Sequence, residues 1–183
     1  MGKPRAGRAE VIAFVGRSGT GKTTILRKLV ASLRRRGRTV AVIKHCGHGF
    51  DFGPRGKDSN LFLRAGACGV ALVGPGRMAV LYPLPGRRPR DGKTAAFFGD
   101  VDFIFVEGGR TEMDVPKIEV LRRGVAEKAR FRQGELRAIV ADFPVEAGVS
   151  VFEPGQIAEI ADFVEAIGRP AAGRAGSRKG GKG

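Results

Sequence analysis

Gly16-Arg17-Ser18-Gly19-Thr20-Gly21-Lys22-Thr23 matches the pattern GxxxxGK[ST] throughout and lies between an apolar run, Val11 to Val15, and a helical stretch that starts at Thr23. The chemistry of such a loop is anion binding. Successive backbone N–H groups and the helix N-terminus form a nest for phosphates, and Gly16, Gly19 and Gly21 let the ligand approach the main chain. Lys22 would neutralise the outer phosphates, and the Thr23 hydroxyl can ligate Mg2+. Ser18, Thr20 and Thr24 complete the expected nucleotide-binding set. Such a site also needs an acid at the end of a neighbouring buried strand, and Val101-Asp102-Phe103-Ile104-Phe105-Val106-Glu107-Gly108-Gly109 supplies Glu107. Thr23 and Glu107 are therefore the candidate metal ligands. Asp102, about five residues earlier at ~3.3 Å per residue, falls at the opposite end of the sheet and reads as a surface acid or a cap.

A second cluster is Lys44-His45-Cys46-Gly47-His48-Gly49-Phe50-Asp51, followed by Gly56-Lys57-Asp58-Ser59. It lies just beyond a strand, on the edge where α/β sheets bind ligands. Hydrolysis of a bound nucleotide needs a polar group to position water and a cation to stabilise charge on the terminal phosphate. His45, His48 or Asp51 could do the first, and Lys57 or Arg110 the second. Polar loop residues bonded to their neighbours remain the plainer reading, and His45, Cys46 and His48 lack the distant partner pair of a structural zinc site. For choice of base, Arg137-Ala138-Ile139-Val140-Ala141-Asp142 ends in an acid that could accept from guanine. No Asn-Lys-x-Asp pattern accompanies Asp142, so a strand-end turn acid is the alternative.

The elements that must hold these residues alternate short β-branched runs with helical stretches, as parallel strands joined by crossover helices do. Ile25, Leu26, Leu29, Val30 and Leu33 form one helical stripe that closes at Gly37. Strands are expected at 11–15, 39–44, 68–73, 78–82, 101–106, 117–121, 137–141 and 149–152, with a short helix at 58–65. Ile157, Ile160, Phe163, Val164 and Ile167 make a last core-facing stripe that stops at Gly168. The expected architecture is a three-layer α/β domain, a phosphate-loop nucleotide-binding fold whose mostly parallel sheet is flanked by helices.

With 183 residues the chain suits one core, over 10–168, between a basic arm at 1–9 and a basic tail at 169–183. The formal charge is +15, and eight of those charges sit in the two ends, on Lys3, Arg5, Arg8, Arg169, Arg174, Arg178, Lys179 and Lys182. The remaining +7 suits a ligand with several phosphates about as well as a polynucleotide, and nucleic acid is the less favoured partner. No apolar run approaches the roughly 18 residues of a membrane span. The start carries no apolar signal core, and the two cysteines, Cys46 and Cys68, cannot make a disulfide framework. A cytoplasmic protein is expected.

Taken in order, the phosphate loop with Thr23-Thr24, Lys44-His45, the His-rich loop into Phe50-Asp51, Gly56-Lys57-Asp58-Ser59, Arg64-Ala65-Gly66-Ala67, Val106-Glu107-Gly108 and Pro116-Lys117-Ile118-Glu119-Val120 resemble the molybdopterin-guanine dinucleotide biosynthesis adapter (MobB) family. The resemblance spans about residues 10–167. It implies a GTP-binding phosphate-loop protein, usually a homodimer, that assists conversion of molybdopterin to its guanine dinucleotide beside the guanylyltransferase. Thr23 and Glu107 themselves point to Mg2+, and the glycine-flanked loops that would place water and charge predict at most slow GTP hydrolysis. Cys46 stands where the family commonly has an acid, Gly53 near where it has a second, Arg55 interrupts its Pro-Gly-Lys-Asp-Ser, and Gly109 replaces an aromatic. Phosphoryl transfer by a small-molecule kinase and GTP hydrolysis on a polynucleotide are the rival chemistries.

Overall fold

The computed structural model describes residues 9–47, 57–81, 101–108, 115–131 and 134–167. The strands are β1 (Glu10–Val15), β2 (Val40–His45), β3 (Gly69–Gly74), β4 (Arg77–Leu81), β5 (Phe103–Glu107), β6 (Lys117–Val120), β7 (Leu136–Val140) and β8 (Ser150–Phe152). The helices are α1 (Lys22–Arg35), α2 (Lys57–Ala65) and α3 (Ile157–Ile167). All eight strands join one sheet in the order β4-β3-β2-β5-β1-β6-β7-β8. Every neighbouring pair is parallel except β3 and β4, which form an antiparallel hairpin. The mostly parallel sheet with flanking helices expected from the alternating pattern is thus what forms. Element ends differ by a residue or two. Val101 and Asp102 precede β5 rather than opening it, and the Asp102 carboxylate accepts from the Thr39 N–H and hydroxyl at 2.7 and 2.8 Å.

Strand alternation sorts the core into two faces. Ile12, Phe14, Val40, Val42, Phe103, Phe105, Ile118 and Val120 pack with Ile25, Leu26, Leu29, Val30 and Leu33 of α1, Phe62 of α2, and Ile160 and Val164 of α3. Phe14 meets Phe105 edge to face, with ring centroids 5.3 Å apart. All three described helices therefore lie on one face. The other face carries Ala13, Val15 and Val106, with Ala41, Ala71 and Ile104 beside them. Among the described residues, Phe131, Phe143, Val145 and Val149 pack against its far end.

Parallel pairing brings the carboxyl ends of β1, β2, β5, β6 and β7 to one edge of the sheet. Register then does the local positioning. Glu107 is paired with Phe14 on one side and with Lys44 on the other. Phe14, Lys44 and Glu107 share the face that α1 covers, so both ionic side chains point toward the start of that helix.

The chain leaves β1 through Gly16, whose φ is +133°. A Cβ there would stand 2.5 Å from the carbonyl oxygen of Val120, at the end of β6. Only glycine lets the loop pass this close to the neighbouring strand. Gly16→Ala is expected to cost roughly 1–3 kcal/mol, read as a lower urea midpoint at unchanged m-value. Gly21→Ala, which meets nothing within 4 Å, should cost less. Equal midpoints for Gly16→Ala and the unsubstituted protein would contradict the packing account.

Candidate functional site

The loop from Gly16 to Gly21 turns back over the edge of β1 and feeds α1. Gly21 caps the helix in a left-handed conformation, no side chain caps it, and its first turn holds no acid. The positive end of the helix dipole is thus left facing the nest. Lys22 folds back over its own loop: its Nζ donates to the carbonyl oxygens of Gly16 at 2.9 Å and Arg17 at 2.7 Å. Lys22 as a residue is only 9% exposed. Burial lowers its pKa, Glu107 opposes that shift, and the like charge of Lys44 adds to it. The Thr20 hydroxyl is spent inside the loop, donating to the Arg17 carbonyl at 2.9 Å.

The structure brings Thr23 and Glu107, the two candidate metal ligands, together. Thr23 Oγ1 donates to Glu107 Oε1 at 2.5 Å, and Glu107 is buried. A third side chain joins them: Lys44 Nζ lies 3.2 and 3.3 Å from the two carboxylate oxygens and 3.3 Å from the Thr23 hydroxyl. A hydroxyl and a carboxylate side by side, already sharing one cation, are a donor set suited to a hard divalent ion. In the sequence Lys44 stands out only as a strand end at the head of the His-rich loop. Its signal was a lysine at an inward position of a buried strand, aligned with the acid of the next one.

The remaining candidates separate. Alternation along β2 turns His45 to the face opposite Lys44, so it does not join Thr23 and Glu107 beneath α1. Lys57 opens α2, but its side chain, like His48, Asp51 and Arg110 altogether, lies outside the described residues. Ser18 and Thr24 occupy the loop and the first turn of α1. Asp142 follows β7 on the same edge, where its Oδ1 accepts from the Arg123 N–H at 2.8 Å. Cys46 is half-buried and packs against the main core. Among the described residues, no group of three or more His, Cys, Asp or Glu is placed to hold a metal ion. No described helix is long and apolar enough to cross a membrane.

The segment after β6 flanks the phosphate loop. Arg122 and Ala126 pair as an isolated antiparallel bridge. Arg122 Nη1 donates to the Gly19 carbonyl at 3.3 Å, and Arg17 Nη1 donates to Val125 at 3.5 Å. Beside this contact a groove of about 680 Å³ is lined by Arg17, Val125, Glu127, Lys128 and Arg130. Glu119, fully buried on β6, anchors its far side: both oxygens accept from the Arg130 N–H at 3.1 Å, and Oε2 also accepts from Phe131 at 3.4 Å. Burial raises the Glu119 pKa, and those backbone N–H groups partly offset the rise. In the sequence Glu119 stands out only as part of the Pro116-Lys117-Ile118-Glu119-Val120 run. An acid set among apolar strand residues was the available sign that it is buried.

Residues 11–142 match the family model described as molybdopterin guanine dinucleotide synthesis protein B. A molybdopterin-guanine dinucleotide biosynthesis adapter protein of Escherichia coli K12 is 32% identical over 159 residues, which cover 84% of this chain and 90% of that protein. Its counterpart from Haemophilus influenzae is 31% identical over 156 residues, covering 85% and 87%. Among solved structures, the crystal structure of a MobB homolog from Bacillus stearothermophilus superposes with a TM-score of 0.50 at 24% identity, over 87% of this chain and 97% of that one.

Glu119→Gln replaces one acceptor oxygen by an NH2 group, so the Arg130 N–H loses one of its two acceptors and faces a donor instead. The expected cost is roughly 1–3 kcal/mol, with faster amide hydrogen exchange at residues 130 and 131 than elsewhere in the sheet. Unchanged exchange at those two amides would contradict the anchoring role.

Proposed function

The chain belongs to the molybdopterin guanine dinucleotide synthesis protein B family, and on that premise we propose that it is a GTP- and Mg2+-binding adapter in molybdopterin guanine dinucleotide biosynthesis. The observation that carries this reading is the meeting of Lys22, Thr23 and Glu107 where β1, β5 and α1 converge. Phosphates entering the nest would take over the N–H groups at the start of α1. They would also draw the Lys22 ammonium from the Gly16 and Arg17 carbonyls onto the outer phosphate, exchanging neutral acceptors for a charged one. Thr23 and Glu107 would hold Mg2+, which supplies charge neutralisation on the phosphates. The second Asp142 oxygen is the candidate acceptor for guanine.

In this reading the partners are the molybdenum cofactor guanylyltransferase and molybdopterin, the working form is a homodimer, and the compartment is the cytoplasm. Intrinsic hydrolysis is slow because the groups proposed to place water, among His45, His48 and Asp51, and the Lys57 cation come from the end of β2, the residues that follow it and the start of α2 rather than from the Thr23 and Glu107 cluster. Turnover by the isolated protein should stay below about 1 s⁻¹, an ordinary enzyme rate, and rise when the transferase and molybdopterin are added.

Calorimetric titration with GTP tests the core of the reading. Lys22→Ala should weaken binding several-fold or more, since a charge-assisted contact worth roughly 1.5–3 kcal/mol is removed. Equal affinities for the two proteins would refute the phosphate nest.

A further inference from the structure

Lys44 is the one member of the buried cluster to which the nucleotide reading gives no task. Its ammonium stands within 3.3 Å of both Glu107 oxygens and of the Thr23 hydroxyl. Those are the oxygens that Mg2+ would need. Lys44 pairs with the carboxylate, Lys22 is near enough to feel the charges of both, and the start of α1 adds its own positive end with no acid in the first turn. The nucleotide-free cluster is thus electropositive, and a divalent ion arriving alone would meet net repulsion at close range. Four negative charges or so on a triphosphate reverse that sign.

We propose that Lys44 is a tethered counter-ion at the divalent-cation position, holding Thr23 and Glu107 together while the site is empty and excluding the metal until phosphates have bound. Nucleotide therefore binds first and the cation second, and entry of the cation turns the Lys44 ammonium away from Glu107 toward the phosphates. Register makes the arrangement possible. Lys44 and Glu107 are paired residues of adjacent parallel strands, so their side chains leave the same face of the sheet as neighbours.

This inference deepens the nucleotide and Mg2+ reading and rests on it, yet it is tested without nucleotide, so a failure to bind GTP would leave its result untouched. Mn2+ binding to the nucleotide-free full-length protein is followed by electron paramagnetic resonance of the free ion. Lys44→Gln should bind Mn2+ at least about tenfold more tightly than the unsubstituted protein, the scale set by removing a like charge a few ångströms from the ion. Lys44→Arg, which keeps the charge, should show no such gain, and adding Glu107→Gln to Lys44→Gln should abolish it. If Lys44→Gln is folded by circular dichroism and binds Mn2+ no more tightly, the proposal is overturned. Should that variant not fold, reductive methylation of the unsubstituted nucleotide-free protein decides: Lys44 should be protected both without Mn2+ and with Mn2+ in excess, and a Lys44 that is reactive without Mn2+, or becomes reactive on adding Mn2+ alone, overturns the proposal equally.

Discussion

A buried carboxylate at a sheet edge survives only if its charge is matched, and here the match is made by Lys44 and Thr23 around Glu107. The rest of the site follows from that constraint. Glu107 must end a central strand so that it reaches the start of α1. The strand before it in the sheet must present a cation at the paired position. The helix must begin close enough for its second residue to reach across. Phe14 and Phe105 set that distance by packing beneath the cluster, and Gly16 allows the loop to turn tightly against Val120 on its way to the helix.

Stability and binding therefore compete at the same atoms. Lys22 satisfies two loop carbonyls and Lys44 satisfies a carboxylate, and each contact holds the site in shape. Each would be surrendered to a phosphate or a metal. This economy explains why the polar groups of the site are bonded to one another rather than left open. It also explains the second clamp, in which Glu119 spends its charge on the backbone of residues 130 and 131 and holds the groove wall beside Arg17.

Much of this was legible from residue types and spacing. The stripe Ile25, Leu26, Leu29, Val30, Leu33 became the buried side of α1, and the continuous apolar run before Glu107 became a central strand carrying that acid to the edge. These features are local, set by periods of 3.6 and 2 along the chain. What stayed hidden depended on pairing between distant segments. Nothing within Lys44-His45 says which of the two faces the acid of another strand, and the register between β2 and β5 decides for Lys44 and against His45. Glu119 likewise became an anchor only because the chain returns at Arg130 and Phe131 to cover it. That α1, α2 and α3 share one face is set by crossover geometry, which no helical stripe reports.

The central claim is that phosphates and a divalent ion share the cluster built from Lys22, Thr23 and Glu107. Phosphorus NMR of GTP bound to the protein, with trace Mn2+ added as a paramagnetic reporter, tests it most directly. The account predicts strong broadening of the outer phosphate resonances in the unsubstituted protein and loss of most of it in Glu107→Gln, with GTP still bound. Equal broadening in both proteins would place the ion elsewhere and contradict the account.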